Sequence, residues 1–431
     1  MARYDRITPL SAPTREQAFP AWMTLRDLEG RERDADLARR ARLRFLALRP
    51  VRRLLQHGFE RVSAASYERQ IEGVREELGL LSARDPERAR LAEFLHRIRQ
   101  RTPLALATAT LDFGETIEGA GHLWAAEEFY FTALELSEAH RLVPQEIIAH
   151  RLLGRLCRKA GRWEEAADHY RRAADRALEA ADHRQWARSM DGLATLFRLQ
   201  GRNVDALRVG EEILAAGRER EDDTVIAIGC AALCAAALAA GDLERAVEHG
   251  WTAVRLLPDD EDRYRLLAHL QVAFTRLGLF RAAERCCQII ASRSGHPAVR
   301  AQARADHALL AADAGNAELF RRRRLELLRQ AAEWADEPQA SAAVHLSLGR
   351  GCFLVGDTDF ARDHLREAIA AAKRHGDGEL LGRAEELLTA LEQAATEALS
   401  PQPHSASPGP VARRIAAEVE SIAETLVPAT A

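Results

Sequence analysis

The chain has 431 residues, of which 47% are apolar and 29% charged, a balance that can bury a core and excludes a disordered chain. Six cysteines in this length exclude a secreted disulfide scaffold, and a net charge of −4 singles out no class of partner. Aromatic residues make up 6%, alanine and leucine dominate, and almost no window alternates as a strand does, so the composition predicts an all-α protein.

Residues 1–20 carry Pro9, Pro13 and Pro20 and read as an irregular lead-in without the continuous apolar core of a secretory signal. Residues 21–102 read as an N-terminal helical segment, with helices expected over 22–47, 50–78 and 86–101. Asp85 followed by Pro86 is a start signal for the last of these. Residues 1–101 hold 22 arginines against 15 acids, a net of +7. Arg39, Arg40, Arg42, Arg44, Arg49, Arg52 and Arg53 form a run with no acid between them. A solvated face, or pairing with an acidic neighbouring helix, is preferred to a nucleic-acid surface, because no DNA-binding motif accompanies the run.

Residues 103–395 are periodic. Gly121, Gly161, Gly201, Gly241, Gly278, Gly315 and Gly356 recur at spacings of 40, 40, 40, 37, 37 and 41. A period in this range means stacked supersecondary units, each glycine ending a helix in the left-handed conformation. Five residues after most of these glycines stands a small residue: Ala126, Ala166, Ala206, Ala246, Ala283 and Ala361. The sixth copy has Phe320 there, which predicts local distortion or a shifted register.

Within one unit, Leu153-Gly154, Cys157, Gly161, Trp163, Ala166, Tyr170 and Ala173 fall in order; Phe113-Gly114, Ile117, Gly121, Leu123, Ala126, Tyr130 and Ala133 repeat them. This pattern resembles the tetratricopeptide repeat. Leu348-Gly349, Cys352, Gly356, Ala361, Leu365 and Ala368 repeat it again, and Pro258 stands at the family's terminal proline. The unit is longer than the family's usual one, and His150 stands where the family has an early tryptophan. The resemblance implies a right-handed α-solenoid of about seven helix pairs, with an N-terminal helical segment and a C-terminal amphipathic helix.

Residues 396–410 form a Pro/Ser-rich linker. Residues 411–427 form the amphipathic helix, with Ile415, Val419, Ile422 and Leu426 on one face. Its expected role is to cap the last repeat, since solenoid ends need covering; a tail docked in the groove is the alternative.

The resemblance places the second, fifth, ninth and twelfth residues of each unit on the concave wall. These include Arg151, Arg155 and Arg158 in the second copy, Arg188 and Arg198 in the third, and Leu238 in the fourth. The wall thus passes from cationic to apolar, suited to an acidic partner segment with an apolar anchor. Pairing of these arginines with neighbouring acids is the plainer reading. No catalytic motif stands out, the cysteines sit at packing positions, and the acids at 259–262 lack the spacing of a calcium loop. The sequence therefore predicts a cytoplasmic, non-catalytic protein-interaction scaffold without cofactor, metal or membrane span. The alternative is a peptide- or ligand-responsive regulator, since helices followed by long repeats also resemble the Rap-type bacterial sensors.

Overall fold

The structure, a computed structural model, describes residues 32–83, 85–120, 122–257, 260–335, 338–375, 377–394 and 407–425. Among them are nineteen α-helices and no strand. The chain divides into two compact units. Of the described residues, one unit holds those up to Glu118 together with Trp124–Glu146; the other holds those in Gly119–Leu123 and those from Ile147 onward.

In the first unit, α1 (Glu32–His57), α2 (Ala64–Leu78) and α3 (Pro86–Ile98) precede α4 (Pro103–Gly119) and α5 (Leu123–His140). The break expected before Pro50 is absent. Helix α1 runs through the proline and ends at Gly58, whose φ is +85°. Burial of Ala47, Leu48, Val51 and Leu54 around Pro50 offsets the roughly 3 kcal/mol that an interior proline costs. Helix α3 does start at Pro86, with the Asp85 carboxylate accepting from the Glu87 amide at 2.9 Å. Four arginines of the run meet acids: buried Arg44 grips Glu87, with Nη2 donating at 2.6 Å, while Arg40 meets Asp85, Arg42 meets Glu77 and Arg52 meets Glu128. Phe94, Phe113 and Phe129 form the aromatic centre of this unit, their ring centroids 4.9–5.4 Å apart.

The second unit is the regular array. Its first helices are α6 (Val143–Lys159), α7 (Trp163–Glu179), α8 (His183–Leu199), α9 (Asn203–Glu219), α10 (Asp223–Ala240) and α11 (Leu243–Leu256). Then come α12 (Asp260–Arg276), α13 (Phe280–Arg293), α14 (Pro297–Asp313), α15 (Ala317–Arg329), α16 (Pro338–Leu354), α17 (Thr358–His375), α18 (Gly378–Ala394) and α19 (Pro410–Thr425). Even-numbered helices from α8 to α18 each touch the next even-numbered one, so they form a continuous inner layer. The odd-numbered helices α7 to α17 lie outside it.

Gly161, Gly201, Gly241, Gly278, Gly315 and Gly356 have φ between 72° and 83°, as their spacing predicts; Gly121 and Pro258 lie outside the described residues. The half-repeat turns carry a second series that composition hides. Arg141, Ala181 and Glu221, which recur at the interval of the first glycines, are also left-handed, at φ 52–55°. Both series close alike: Asp182 N donates to Ala177 O at 2.8 Å, and Arg162 N to Cys157 O at 2.8 Å. A side chain in this conformation costs about 1–2 kcal/mol, partly offset by the greater unfolded-state freedom of glycine. Ala181→Gly is therefore expected to raise stability by about 0.5–1 kcal/mol in urea unfolding. A loss of stability would show that the turn is not left-handed in solution.

The layers interlock through aromatic wedges. Tyr170 on α7 fills the space left by two glycines: a Cβ at Gly154 on α6 or Gly192 on α8 would stand 2.9 and 2.3 Å from its ring. Phe320 does not distort the sixth copy. The register holds at Gly315, Phe320 is fully buried, and a Cβ at Gly351 on α16 would come within 2.3 Å of its ring. The large residue has exchanged places with a small one on the facing helix.

Helix α10 corrects the expectation that no run is long enough to span a membrane. By length and apolarity it could. Here α8, α9, α11 and α12 all contact it, which is where an Ala/Cys/Leu-rich core helix belongs.

The last helix does not cap the last repeat. Helix α18 already covers α16 and α17, and α19 returns to the outer layer, lying against α11 and α13. Helix α19 packs over the seam between these two outer helices. Ala412, Ile415, Ala416 and Val419 are buried there, with Ile422 packed alongside; Leu426 lies outside the described residues. Glu244 on α11 accepts from the Ala412 amide at 3.2 Å and from the Gly409 amide, capping the free N–H groups at the start of α19. Trp251 Nε1 donates to Glu418 Oε2 at 2.7 Å.

Candidate partner-binding lumen

The inner layer curls back on itself. Arg158 in the last turn of α6 meets Glu379 in the first turn of α18 at 3.1 Å, 221 residues away in sequence. A Cβ at Gly378 would stand 3.3 Å from the Lys159 carbonyl oxygen. The inner helices thus surround a lumen, and their inward side chains crowd one another electrostatically.

Asp191 and Arg198 on α8, Arg158 on α6, Arg265 and His269 on α12, and Glu379 and Arg383 on α18 act on each other there. Burial pushes the Asp191 carboxyl up to about 6, against the pull of Arg265, Arg198 and Arg158. Its side chain is only partly covered, so the desolvation comes from the surrounding walls rather than from full enclosure. Burial, then Arg198 and Arg265, push His269 down to about 4, and its buried Nδ1 has no hydrogen-bond partner. Burial also lowers Arg198, with Glu379 opposing, and its buried Nε is unpartnered. Such a wall presents forked donors to an incoming carboxylate.

Of the residues singled out from sequence, Arg158 and Arg198 enter this cluster. Arg155 and Arg158 both act on the Tyr170 hydroxyl, and Arg151 is half-buried on the same helix. Arg188 is exposed. Leu238 packs against the core cluster around Trp251 and Phe274, so the fourth copy offers no open apolar wall at that point. Glu379 and Arg383 carry no local signal in sequence, because closure of the coil is what brings them in. The acids near 260 do structural work: Glu261 accepts from Ser294 Oγ and the Gly295 amide at 3.1 Å. All six cysteines are free and buried, and burial pushes Cys234 and Cys286 up to about 12.

Two histidine pairs also escape a scan for clusters. His150 Nδ1 lies 3.0 Å from His169 Nδ1, and His345 Nδ1 lies 2.9 Å from His364 Nδ1. Both pairs join the same two positions of the unit, in its second and seventh copies. Each contact needs one donor and one acceptor nitrogen, so at least one ring of each pair is neutral. Burial, then His169 and Arg172, push His150 down to about 3; burial, then His345 and Arg324, push His364 down to about 3. These folded values lie below the unfolded value near 6.5. The unfolded chain therefore binds more protons between them, so stability is full above pH 6.5 and falls as pH drops toward 3. The slope is about 1.4 kcal/mol per pH unit for each unmatched histidine. The His150→Gln/His345→Gln variant is expected to lose less melting temperature than the wild type between pH 7 and 4.5. Equal slopes would remove the pairs from the account. Asp191 works in the opposite sense, since its raised value favours the folded state as pH falls.

An all-helical array with wedged pairs, left-handed turns at regular intervals and an enclosed inner wall defines a helical repeat protein. Residues 145–219, spanning α6 to α9, match the model of the tetratricopeptide repeat family. Tetratricopeptide repeats in general mediate protein–protein interaction. Among solved structures, a circular tandem repeat protein with novel repeat topology and enhanced subunit contact surfaces is 18% identical; the alignment covers 94% of this chain and 90% of that chain, with a TM-score of 0.21. No curated protein matches the chain.

Proposed function

We propose that this protein is a non-catalytic interaction scaffold that holds an acidic segment of a partner protein in the lumen of its repeat array. The observation that carries this reading is the convergence of Arg158, Arg198, Arg265 and Arg383 from four separate inner helices. Four guanidinium groups act with three acids, Asp191, Glu379 and Asp262, so the cationic charge of the wall is not fully matched. A partner carboxylate competes for the same forks, and the partly enclosed setting strengthens each contact relative to the open surface. Six buried cysteines with no disulfide among them suit a reducing cytoplasm.

The test neutralises the wall without reversing it. In affinity capture followed by mass spectrometry, Arg198→Gln/Arg265→Gln is expected to retain at least about tenfold less of the wild type's discrete partner, with unchanged helical circular dichroism. Capture by the wild type should weaken as salt rises from 0.05 to 0.5 M. Retention of the same partner by the folded variant moves the binding face elsewhere.

A further inference from the structure

A cavity of about 400 Å³, within the range of small-ligand pockets, opens among α12, α13, α14 and α16. Much of its wall is apolar, with Ala268, Ala303 and Ala340 supplied by three successive inner helices and Ile290 and Val299 closing one side. Small residues on successive helices leave a slot in which a flat ring fits.

The polar groups on α14 give the slot its chemistry. Asp306 Oδ1 accepts from Gln302 Nε2 at 2.8 Å and from Ser347 Oγ at 2.8 Å, and Gln302 Nε2 also reaches Ser347 Oγ at 3.0 Å. These bonds use the nearby donors. The two bonds to Asp306 both end on Oδ1, and Gln302 Oε1 is left buried without a partner. Gln302 Oε1 is thus a buried acceptor that is costly until a donor meets it, and Asp306 Oδ2 is a second acceptor in the cavity wall. Arg383 and Arg350 are close enough to act on the Asp306 carboxyl and offset part of its charge, so a neutral donor suffices to meet it.

We propose that this cavity binds a neutral aromatic group carrying a hydrogen-bond donor, of the indole or phenol type, with its ring between the alanine-lined helices and its donor on Asp306 Oδ2 or Gln302 Oε1. Both a free small molecule and a tryptophan or tyrosine side chain of a bound peptide present this chemistry. The inference goes beyond the partner-binding reading and stands without it.

The test uses the full chain and two probes, indole and 1-methylindole, titrated by calorimetry or by protein-observed NMR. The two share an apolar body, and only indole has the N–H. Indole is expected to bind with a Kd of about 1 mM, and 1-methylindole at least about tenfold more weakly. Asp306→Asn should reduce that preference at least about threefold. Ala343→Phe, which fills the slot from α16, should abolish binding of both probes and carries the test if the Asp306 variant does not fold. Equal affinity for the two probes, no binding of indole, or indole binding that survives Ala343→Phe overturns the proposal. A peptide with one tryptophan among glutamates separates the sources: binding at least tenfold tighter than indole assigns the group to a protein segment, and binding no tighter assigns it to a free small molecule.

Discussion

Phe320→Ala is expected to cost about 3–5 kcal/mol, and Gly351→Ala about 1–3 kcal/mol, yet the double variant should cost less than the sum. Phe320 is fully buried and its ring occupies the space that a Cβ at Gly351 would need, 2.3 Å away. Removing the ring leaves a cavity between α15 and α16; adding a methyl group with the ring in place overpacks the same spot. With the ring gone, the methyl group falls into the cavity, so the two changes compensate. Each unit of a stacked array contacts mainly its neighbours, so the loss should appear first in the sixth and seventh copies. Hydrogen exchange over Ala317–Arg329 and Pro338–Leu354 is the appropriate readout beside global unfolding. Additive effects would mean that Phe320 and Gly351 do not share a site, and that the sixth copy is distorted after all.

Truncation after residue 394, which removes α19, is expected to destabilise the fourth and fifth copies by about 3 kcal/mol and to leave the second and third unchanged. Ile415 and Val419 are almost fully buried, and each contributes about 1.5–3 kcal/mol before the cost of ordering the helix. The deletion also exposes Trp251 and Ile290 and leaves the Glu244 carboxylate without the amides it caps. Amides of Leu243–Leu256 and Phe280–Arg293 should exchange faster. Adding a peptide of residues 407–425 should restore protection. Unchanged exchange in both helices would show that α19 does not pack over this seam in solution. A milder version, Glu418→Ala, leaves the Trp251 N–H without its acceptor and should cost about 1–2 kcal/mol.

Much of the array is legible in sequence because the unit forces the same local solution many times. A glycine that must be left-handed, a small residue where helices meet and an aromatic wedge recur at fixed offsets, and Gly161, Ala166 and Tyr170 display all three. The second series of left-handed turns is hidden because Arg141, Ala181 and Glu221 tolerate the conformation without being glycine. Phe320 misleads because its compensation, Gly351, sits in the next unit. The apolar stripe of α19 says that the helix must be covered, but not by what. Glu244 and Trp251 supply the answer through contacts that are remote in sequence. The lumen is half legible: the tetratricopeptide resemblance implies Arg158 and Arg198, whereas Glu379, Arg383 and His269 depend on how far the coil closes. The histidine pairs are written into the repeat, since His150 and His345 occupy the same position of the unit, as do His169 and His364. They emerge only when the copies are set side by side.

The most direct measurement places a photo-crosslinking amino acid at Thr195, on the face of α8 that also carries Asp191 and Arg198, and in a second protein at Val204, which is exposed on the outer helix α9. Irradiation of native lysate should then join one discrete partner to the Thr195 protein and not to the Val204 protein, with the crosslink lost in the Arg198→Gln/Arg265→Gln background. A partner joined through Val204 and not through Thr195 would place binding on the outer layer and contradict the lumen as the site.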